Sequence, residues 1–430
     1  MKILIKNVKL PESYGFGEQS VCVEVLDRVF GSIGIAPMKE TQYDEVIDGQ
    51  GNLLIPGLYN THCHAAMTIF RGYGEDLPLD RWLNEKIFPA EDKLTQTAVR
   101  TGTELAIAEM LANGVVSFSD MYMFEDMVGA AVLDTGIKAN LSRSIVSFTD
   151  DDPAADFRFA ETKALVSQFH GADDGRILVD ASLHAEYTNT ERMTRFIAEY
   201  AVEAGLGVQI HLSETEKEHA ECMARRNGRS PAAFFRDCGL FDARTTAAHC
   251  VWVTEDDMDI LREKSVAVAH NPVSNLKLGS GVMPLRKMLD RGVLVTLGTD
   301  GAASNNNLDI LKEMQYAILL GKGISRAPES VLAGEMLPLV TVNGAKAQGR
   351  ENCGRIETGC RADAVLVDLN SVRNIPSYGY ETTLLYSATA SDVRMTMVDG
   401  RVLYRNGEYK TIDIEKLKYR AKDVIKHYFD

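Results

Sequence analysis

Eight apolar runs, each ending in a polar or charged residue, recur between residues 55 and 300 with helical stretches between them. The clearest helix is 191–204, where apolar residues recur at helical spacing until Gly205. Continuous apolar strands that alternate with helices are typical of a parallel sheet covered on both faces. Eight such strands predict an α/β fold, a (β/α)8 TIM barrel over residues 57–346. The runs lie at 55–64, 114–120, 136–147, 176–184, 206–213, 244–250, 265–271 and 292–300.

The two ends of the chain alternate apolar and polar positions, as short half-buried strands do. Asp399-Gly400 and Asn406-Gly407 are typical hairpin turns. We therefore predict one small β-sandwich built from residues 1–56 and 347–430, with a closing helix over 413–430. An open doubly wound sheet is the alternative to the barrel, but no Gly-x-Gly-x-x-Gly sequence opens a helix here.

Net charge, hydropathy and cysteine content indicate which classes of partner and which cellular compartment to expect. The formal net charge is −15, from 61 acidic and 46 basic residues, and such a surface repels nucleic-acid phosphates. The sequence contains no run of 18 apolar residues, so no membrane-spanning helix is predicted. The first residues, MKILIKNVKL, alternate apolar and polar positions as a strand does, which is not typical of a signal peptide. Seven scattered cysteines without Cys-x-x-Cys spacing indicate reduced thiols. We expect a cytoplasmic homo-oligomer that binds a small molecule and neither nucleic acid nor membrane.

Histidines mark the ends of the predicted strands. His62 and His64 end the first strand and share a face, because side chains alternate along a strand. The carboxyl ends of barrel strands form the active-site mouth, so these side chains should converge there. The other residues at strand ends are His184, His211, His249 and His270 on strands four to seven, and Asp300 on strand eight. The remaining histidines, 170, 219 and 427, fall in predicted helix or loop and should lie on the surface.

The predicted metal ligands are three imidazoles and a carboxylate, a set that suits Zn²⁺, or Fe²⁺, with an open position for water. They are His62, His64, His211 and Asp300. Taken singly, His211 could be a buried structural histidine and Asp300 a helix cap. The fourth strand, RILVDASLH, ends without the lysine that would bridge two metals, so we predict one ion per chain.

Glu214 follows His211 by three residues and can reach the same pocket without binding the metal. Partial burial would raise the pKa of its carboxyl group, as a general acid or base requires. The nearby Glu216 and Glu218 are predicted to be exposed loop acids.

Five motifs together resemble the amidohydrolase superfamily, and within it the 5′-methylthioadenosine/S-adenosylhomocysteine deaminases. The motifs are Pro56-Gly-Leu-Tyr-Asn-Thr-His-Cys-His64, Ile210-His-Leu-Ser-Glu214, Ala248-His-Cys250, His270-Asn-Pro-Val-Ser-Asn-Leu-Lys-Leu-Gly279 and Leu297-Gly-Thr-Asp-Gly-Ala-Ala-Ser-Asn305. The resemblance implies one Zn²⁺ per chain, held by the four predicted ligands. It further implies that His249 orients the metal-bound hydroxide and that Glu214 carries a proton to the purine ring.

The same resemblance implies three substrate contacts. Glu91 would hold the ribose hydroxyls, His184 would contact the purine, and Arg143 would lie near the 5′ substituent. Read without the family, Glu91 could instead be a first-turn helix acid, His184 a buried polar residue and Arg143 half of an ion pair. The implied reaction is hydrolytic deamination at purine C6 of adenosine-type nucleosides, which gives inosine-type products and ammonia. The candidate substrates are 5′-methylthioadenosine, S-adenosylhomocysteine, adenosine and 5′-deoxyadenosine.

One departure from the family concerns the 5′ substituent. The family's site for the homocysteine carboxylate has a second arginine shortly after the first, but here only Arg158 could serve, and Asp150–Asp152 lie close by. We therefore expect S-adenosylhomocysteine to be a poor substrate.

Other reactions and roles remain open. A guanine deaminase or a triazine chlorohydrolase on the same fold is the alternative activity, and a non-enzymatic purine or metal binding protein is the alternative class. The zinc deaminases with a Pro-Cys-x-x-Cys signature are excluded, because that sequence is missing.

Overall fold

The computed structural model describes residues 1–429, with side chains up to residue 426. The amino-terminal residues form a four-stranded sheet in the order β3-β2-β1-β4. Alternate residues of β2 (Val21, Val23 and Val25) are buried, which is the period-two pattern that the sequence predicts. The strands are β1 (Lys2–Val8), β2 (Val21–Leu26), β3 (Val29–Gly34) and β4 (Glu45–Asp48).

The apolar run predicted as a single strand at 55–64 belongs to two strands. β5 (Leu53–Pro56) pairs antiparallel with Ala364–Val367 in a terminal sheet, and β6 (Leu58–Cys63) is the first barrel strand. Gly57 lies between them, and a Cβ there would meet the Val116 side chain at 2.5 Å. The run reads as continuous because both halves are buried, although each half packs in a different sheet.

The barrel consists of eight strands paired in chain order, β6 to β13, and the predicted (β/α)8 fold is confirmed. Every residue of β6, β7 and β10 is buried, as expected for strands covered on both faces. The remaining barrel strands are β7 (Val115–Tyr122), β8 (Lys138–Arg143), β9 (Ile177–Ser182), β10 (Gly207–Leu212), β11 (Thr245–His249), β12 (Ala267–His270) and β13 (Leu294–Leu297).

Side chains and loop backbone close the barrel between β13 and β6. Thr61 Oγ1 donates to the Leu297 carbonyl oxygen at 2.8 Å, and Asn60 Nδ2 donates to Thr299 Oγ1 at 2.7 Å. The Asp300 amide donates to the His62 carbonyl oxygen at 3.0 Å. These bonds fix the backbone of Asp300 beside that of His62.

The carboxyl-terminal strands form a second sheet with β5, in the order β17-β16-β15-β14-β5. A separate apolar core joins the two terminal sheets, with Ile5 and Val23 on one side and Leu366 and Met397 on the other. The strands are β14 (Ala364–Val367), β15 (Val393–Val398), β16 (Arg401–Arg405) and β17 (Glu408–Tyr409). The division of the chain into 1–56 with 347–430 and 57–346 stays a prediction.

The helix predicted at 191–204 is present as Glu191–Ala204, and Gly205 ends it with a left-handed φ of 66°. The predicted closing helix is Ile414–Phe429; its Arg420 pairs with Glu104 on the helix Gln96–Ala112. None of the helices among residues 1–429 is long and apolar enough to cross a membrane. The other α-helices of six or more residues are Glu125–Thr135, Phe157–Phe169, Glu216–Arg225, Pro231–Asp237, Glu255–Glu263, Pro272–Lys277, Leu285–Asp290, Ile310–Ser325, Ala333–Val340, Val342–Ala347 and Tyr380–Tyr386. Shorter α-helices are Leu79–Trp82, Phe88–Glu91, Ala172–Gly175 and Ala302–Asn305, and a six-residue 3₁₀ helix spans Ala65–Phe70.

A buried lysine joins the barrel to the carboxyl-terminal sheet. Lys138 begins β8 and pairs with Asp363 and, at 2.8 Å, with Asp399. Replacing Lys138 with methionine should lower the free energy of unfolding by about 3–5 kcal/mol, because two buried carboxylates lose their counter-charge. Denaturant titration measures this loss. Lys418→Met, which removes an exposed partner of Glu415, is the control and should have little effect.

Candidate active site

The carboxyl ends of the barrel strands bring three histidines and a carboxylate close together. His64 Nε2 lies 3.2 Å from Asp300 Oδ1, and His62 Nε2 lies 3.6 Å from the same oxygen. His211 Nε2 lies 3.4 Å from His64 Nε2. The structure therefore places the four predicted ligands together. All four are buried or nearly so.

Backbone carbonyl groups hold two of the imidazole rings so that Nε2 points to this centre. His64 Nδ1 donates to the Met121 carbonyl oxygen at 2.6 Å, and His211 Nδ1 donates to the His184 carbonyl oxygen at 2.7 Å. Such bonds fix the tautomer and leave the Nε2 lone pair free to bind a cation. His62 Nε2 is buried and has no hydrogen-bond partner among the described residues. The donor set and this buried nitrogen fit a divalent metal.

His249 lies close enough to form an alternative ligand set. Its ligand nitrogen is within 4.8 Å of those of His62 and His211, just as His62, His64 and Asp300 form such a group. The other contacts of His249 distinguish it from the predicted ligands. His249 Nδ1 is hydrogen-bonded to Asn275 Oδ1 at 2.8 Å, and its Nε2 lies 3.7 Å from Glu214 Oε2. His249 therefore lies between the metal ligands and the acid. His270 belongs to neither group.

The proton affinities of the ligands differ. Burial lowers the pKa of His62 to about 4 and lowers that of His211 well below its usual range. Burial also opposes the charged form of His64, but the hydrogen bond and charge of Asp300 outweigh it and raise the pKa to about 9. The rings of His62 and His211 thus favour the neutral form that binds metal, whereas the His64 ring would have to give up its Nε2 proton before that nitrogen could bind a cation.

Asp300 is oriented by two hydroxyl groups. Ser274 Oγ and Ser304 Oγ donate to Oδ2 at 2.6 and 2.9 Å, so Oδ1 faces the histidines. Burial opposes ionisation of Asp300, but the neighbouring imidazoles of His62 and His64 outweigh burial and hold the pKa of Asp300 well below its usual value. Asp300 stays a carboxylate and can bind a cation.

Three residues at the mouth of the barrel have strained backbone conformations. Asp300, His249 and Ser213 have left-handed φ values of 59°, 73° and 47°. Residues other than glycine rarely adopt this conformation, and where they do the surrounding structure must hold them there. In each case the strained residue ends or follows a barrel strand, so the left-handed conformation occurs where the chain turns at the mouth of the barrel.

Glu214 is buried beside the predicted metal ligands. Its Oε1 accepts a hydrogen bond from Ser280 Oγ at 3.0 Å, and its Oε2 faces His249 Nε2. Burial is the main cause that raises the pKa of Glu214, and the charge of His249 opposes it. A carboxyl group with raised pKa, held between a hydroxyl and an imidazole, can accept and return a proton.

The prediction that Glu218 is an exposed loop acid is wrong. Glu218 is buried and lies in the first turn of the helix Glu216–Arg225, where its carboxylate bonds to the backbone that carries Glu214. Glu216 is exposed, as predicted. Because the helix begins at Glu216, the side chain of Glu218 points inward. The sequence analysis assigned this stretch to a loop and therefore did not predict the burial of Glu218.

The predicted substrate contacts lie around the predicted metal ligands. Burial raises the pKa of Glu91, and a hydrogen bond with Tyr122 opposes that shift. The His184 ring lies 4.8 Å from the His211 ring, and burial lowers its pKa to about 4. Arg143, at the end of β8, pairs with Glu161 at 2.6 Å. The helix Phe157–Phe169 contributes that glutamate.

Sequence reasoning missed the groups that orient the ligands. Ser274 and Asn275 lie within the motif that begins at His270, so their polarity inside an apolar region was a usable signal. Ser304 likewise lies within the motif that ends at Asn305, whereas Ser280 gave no comparable signal, because loop serines are common. Of the histidines predicted to be on the surface, His170 is exposed, His219 is half-buried against Ser213, and the His427 side chain is outside the described residues.

Residues 53–403 match the model of the amidohydrolase family. The chain belongs to this family. The chain is 45% identical over 379 residues to 5-methylthioadenosine/S-adenosylhomocysteine deaminase of Dictyoglomus thermophilum, with 88% of each chain covered. It is 41% identical over 424 residues to 5′-deoxyadenosine deaminase of Methanosarcina mazei, which covers 98% of this chain and 96% of the relative. A solved adenosine deaminase from Xanthomonas campestris with bound zinc superimposes with a TM-score of 0.90 at 31% identity, covering 99% of this chain and 98% of that one. Family membership agrees with the resemblance of the five motifs.

Proposed function

We propose that this amidohydrolase deaminates adenosine-type nucleosides at purine C6, giving inosine-type products and ammonia. The observation that carries the proposal is the position of Glu214, which is buried between Ser280 and His249, beside the four predicted metal ligands. A proton carrier beside an activated water is what hydrolytic removal of an aromatic amino group requires. The names of the two relatives, deaminases of such nucleosides, support the substrate class.

The proposed cofactor is one Zn²⁺ per chain, with Fe²⁺ as the alternative ion. His62, His64, His211 and Asp300 would hold it, because their ligand atoms converge. The other polar atoms of His64, His211 and Asp300 are already bonded to protein. When bound, the metal supplies Lewis acidity that lowers the pKa of water towards ~7.

The protein's own residues would carry out the proton transfers. Glu214 protonates a ring nitrogen of the purine, which makes C6 electrophilic. His249, held by Asn275, hydrogen-bonds the attacking water and orients it towards C6, and Asp300 takes up its proton. Asp300 then passes its proton to the amino group, which leaves the tetrahedral centre at C6 as ammonia, and the proton of the new C6 hydroxyl returns to Glu214. Water and the nucleoside thus give the inosine-type product and ammonia.

Three further residues would bind the nucleoside. Glu91 would hold the ribose hydroxyls, His184 would contact the purine, and Arg143 would lie near the 5′ substituent. The charges of His64 and Arg143 both oppose the rise in the pKa of Glu91, and the His184 ring lies against that of His211, so the three residues surround the same cluster. These contacts favour a nucleoside over a free base. Ammonia release measured with adenosine, guanine and a chlorotriazine tests the choice; release from guanine or chloride release from the triazine, with adenosine inert, would refute it.

We predict that nucleosides with neutral 5′ groups are turned over with higher kcat/KM than S-adenosylhomocysteine. Arg143 is already paired with Glu161, and Arg158 is paired with Asp156 at 3.2 Å. Both guanidinium groups lie over the exposed Phe157 ring, at 6.0 and 4.3 Å from its centre. A substrate carboxylate would have to compete with these acids, whereas 5′-methylthio or 5′-deoxy groups meet the apolar ring.

Steady-state kinetics with 5′-methylthioadenosine, 5′-deoxyadenosine, adenosine and S-adenosylhomocysteine gives the ranking. Glu161→Gln frees Arg143, so it should improve kcat/KM for S-adenosylhomocysteine relative to 5′-methylthioadenosine. A tenfold preference of the wild type for S-adenosylhomocysteine would contradict the prediction, and Arg158→Gln would then show which arginine binds the carboxylate.

A further inference from the structure

Glu218 makes an unusual pair of hydrogen bonds at a helix start. Thr215 caps the helix Glu216–Arg225, and its Oγ1 accepts from the Glu218 amide at 3.1 Å. A glutamate at this position usually reaches back to the amide of the capping residue. Here the side chain reaches further: Oε1 accepts from the Ser213 amide at 2.9 Å, and Oε2 accepts from the Glu214 amide at 2.7 Å.

These two amides belong to the strained turn that carries Glu214 out of β10. Ser213 has a φ of 47°, which a serine adopts only when its surroundings hold it there. The Trp252 amide donates to the Ser213 carbonyl oxygen at 2.9 Å, and Ser213 Oγ lies 3.3 Å from His219 Nδ1. The turn is therefore held from both sides, and Glu218 is the only side chain of the described residues that binds its two consecutive amides.

Burying this carboxylate is costly. Glu218 is 6% exposed, and no ion pair joins it to a cation in the described part of the chain. Burial is the main cause that raises the pKa of Glu218 to about 7, the charge of Glu214 adds to the shift, and the two amides and His249 oppose it. The other titratable groups beside it are Tyr187 and Cys250. Capping a helix does not require a buried acid, since an exposed serine or aspartate serves as well.

We infer that Glu218 is a positioning residue for the reaction: by binding the amides of Ser213 and Glu214 it fixes the turn that aims the Glu214 carboxylate at the substrate. This inference rests on the proposed function, in which Glu214 moves the proton. Displacement of a reacting group by about 1 Å can cost on the order of 10²-fold in rate. Glu218 itself does not touch the metal ligands.

The test compares Glu218→Gln with Glu216→Gln, an exposed acid on the same helix. Glutamine is close to glutamate in shape, but its NH2 group cannot accept from an amide, so one of the two bonds is lost. We expect kcat to fall by roughly 10²-fold with KM, metal content and melting temperature little changed, whereas Glu216→Gln keeps the wild-type kcat. A fall in metal content or a rise in KM that accounts for the loss would overturn the inference, because it would indicate a merely structural role.

A double-mutant cycle supplies the second readout. If Glu218 acts through Glu214, adding Glu218→Gln to Glu214→Gln should cause little further loss of the residual kcat. Losses that multiply would overturn the inference. If Glu218→Gln does not fold, Glu218→Asp decides: a shorter carboxylate cannot reach both amides, so a lowered kcat supports the inference and a wild-type kcat overturns it.

The same measurements separate this inference from the proposed function. An active Glu214→Gln enzyme would overturn the proposed role of Glu214. An inactive Glu214→Gln beside a Glu218→Gln enzyme with wild-type kcat would leave that role intact and overturn only the role of Glu218.

Discussion

Replacing Glu214 with glutamine is expected to lower kcat by roughly 10²–10⁴-fold, which is the usual contribution of a general acid or base. The substitution keeps the shape of the side chain and its contact with Ser280 Oγ, but it removes the group that takes up and returns the proton. The loss should appear in kcat rather than in substrate binding, because Glu214 acts on the purine as the reaction proceeds.

The metal content and the melting temperature of Glu214→Gln must be measured together with its kinetics. Glu214 is not among the groups of residues that could hold the ion, so metal content and melting temperature should match the wild type. Glu216→Gln is the matched control, since it removes an exposed carboxylate two residues away. A Glu214→Gln enzyme with substantial activity would mean that another residue carries the proton.

Removing the metal with a chelator should abolish turnover, and one equivalent of Zn²⁺ per chain should restore it. Three imidazoles and one carboxylate converge on a single point, which suits one ion with an open position. β9 ends at Ser182 and is followed by Leu183 and His184, so the strand end offers no lysine to bridge a second ion. Without the bound ion there is no source of activated water at neutral pH.

Elemental analysis and titration of the metal-free protein give the stoichiometry. His211→Ala should lose most of its metal, because it removes one ligand and leaves the others in place. His170→Ala, which removes an exposed histidine outside the cluster, should keep the full content. A requirement for two equivalents per chain would show that the single-ion site is wrong.

The sequence determined the fold class and the residues at the mouth. Eight buried strands with helices between them show up as long apolar runs, because every residue of such a strand is covered. Polar residues at the ends of these runs therefore stand out, and in a barrel all those ends meet at one face. This is why His62, His64, His211 and Asp300 could be grouped before their distances were known.

Only the tertiary structure decided how the chain is held around those residues. Periodicity cannot show that β5 leaves the barrel for a terminal sheet, or that Thr61 and Asn60 close the barrel, since these depend on partners about 240–310 residues away. The inward position of Glu218 depends on where a helix starts, and the left-handed turns at Ser213 and Asp300 depend on contacts across the mouth. The pattern of apolar residues along the chain predicts which segments are buried. The orientation of each polar group depends on long-range hydrogen bonds, which a local sequence pattern does not predict.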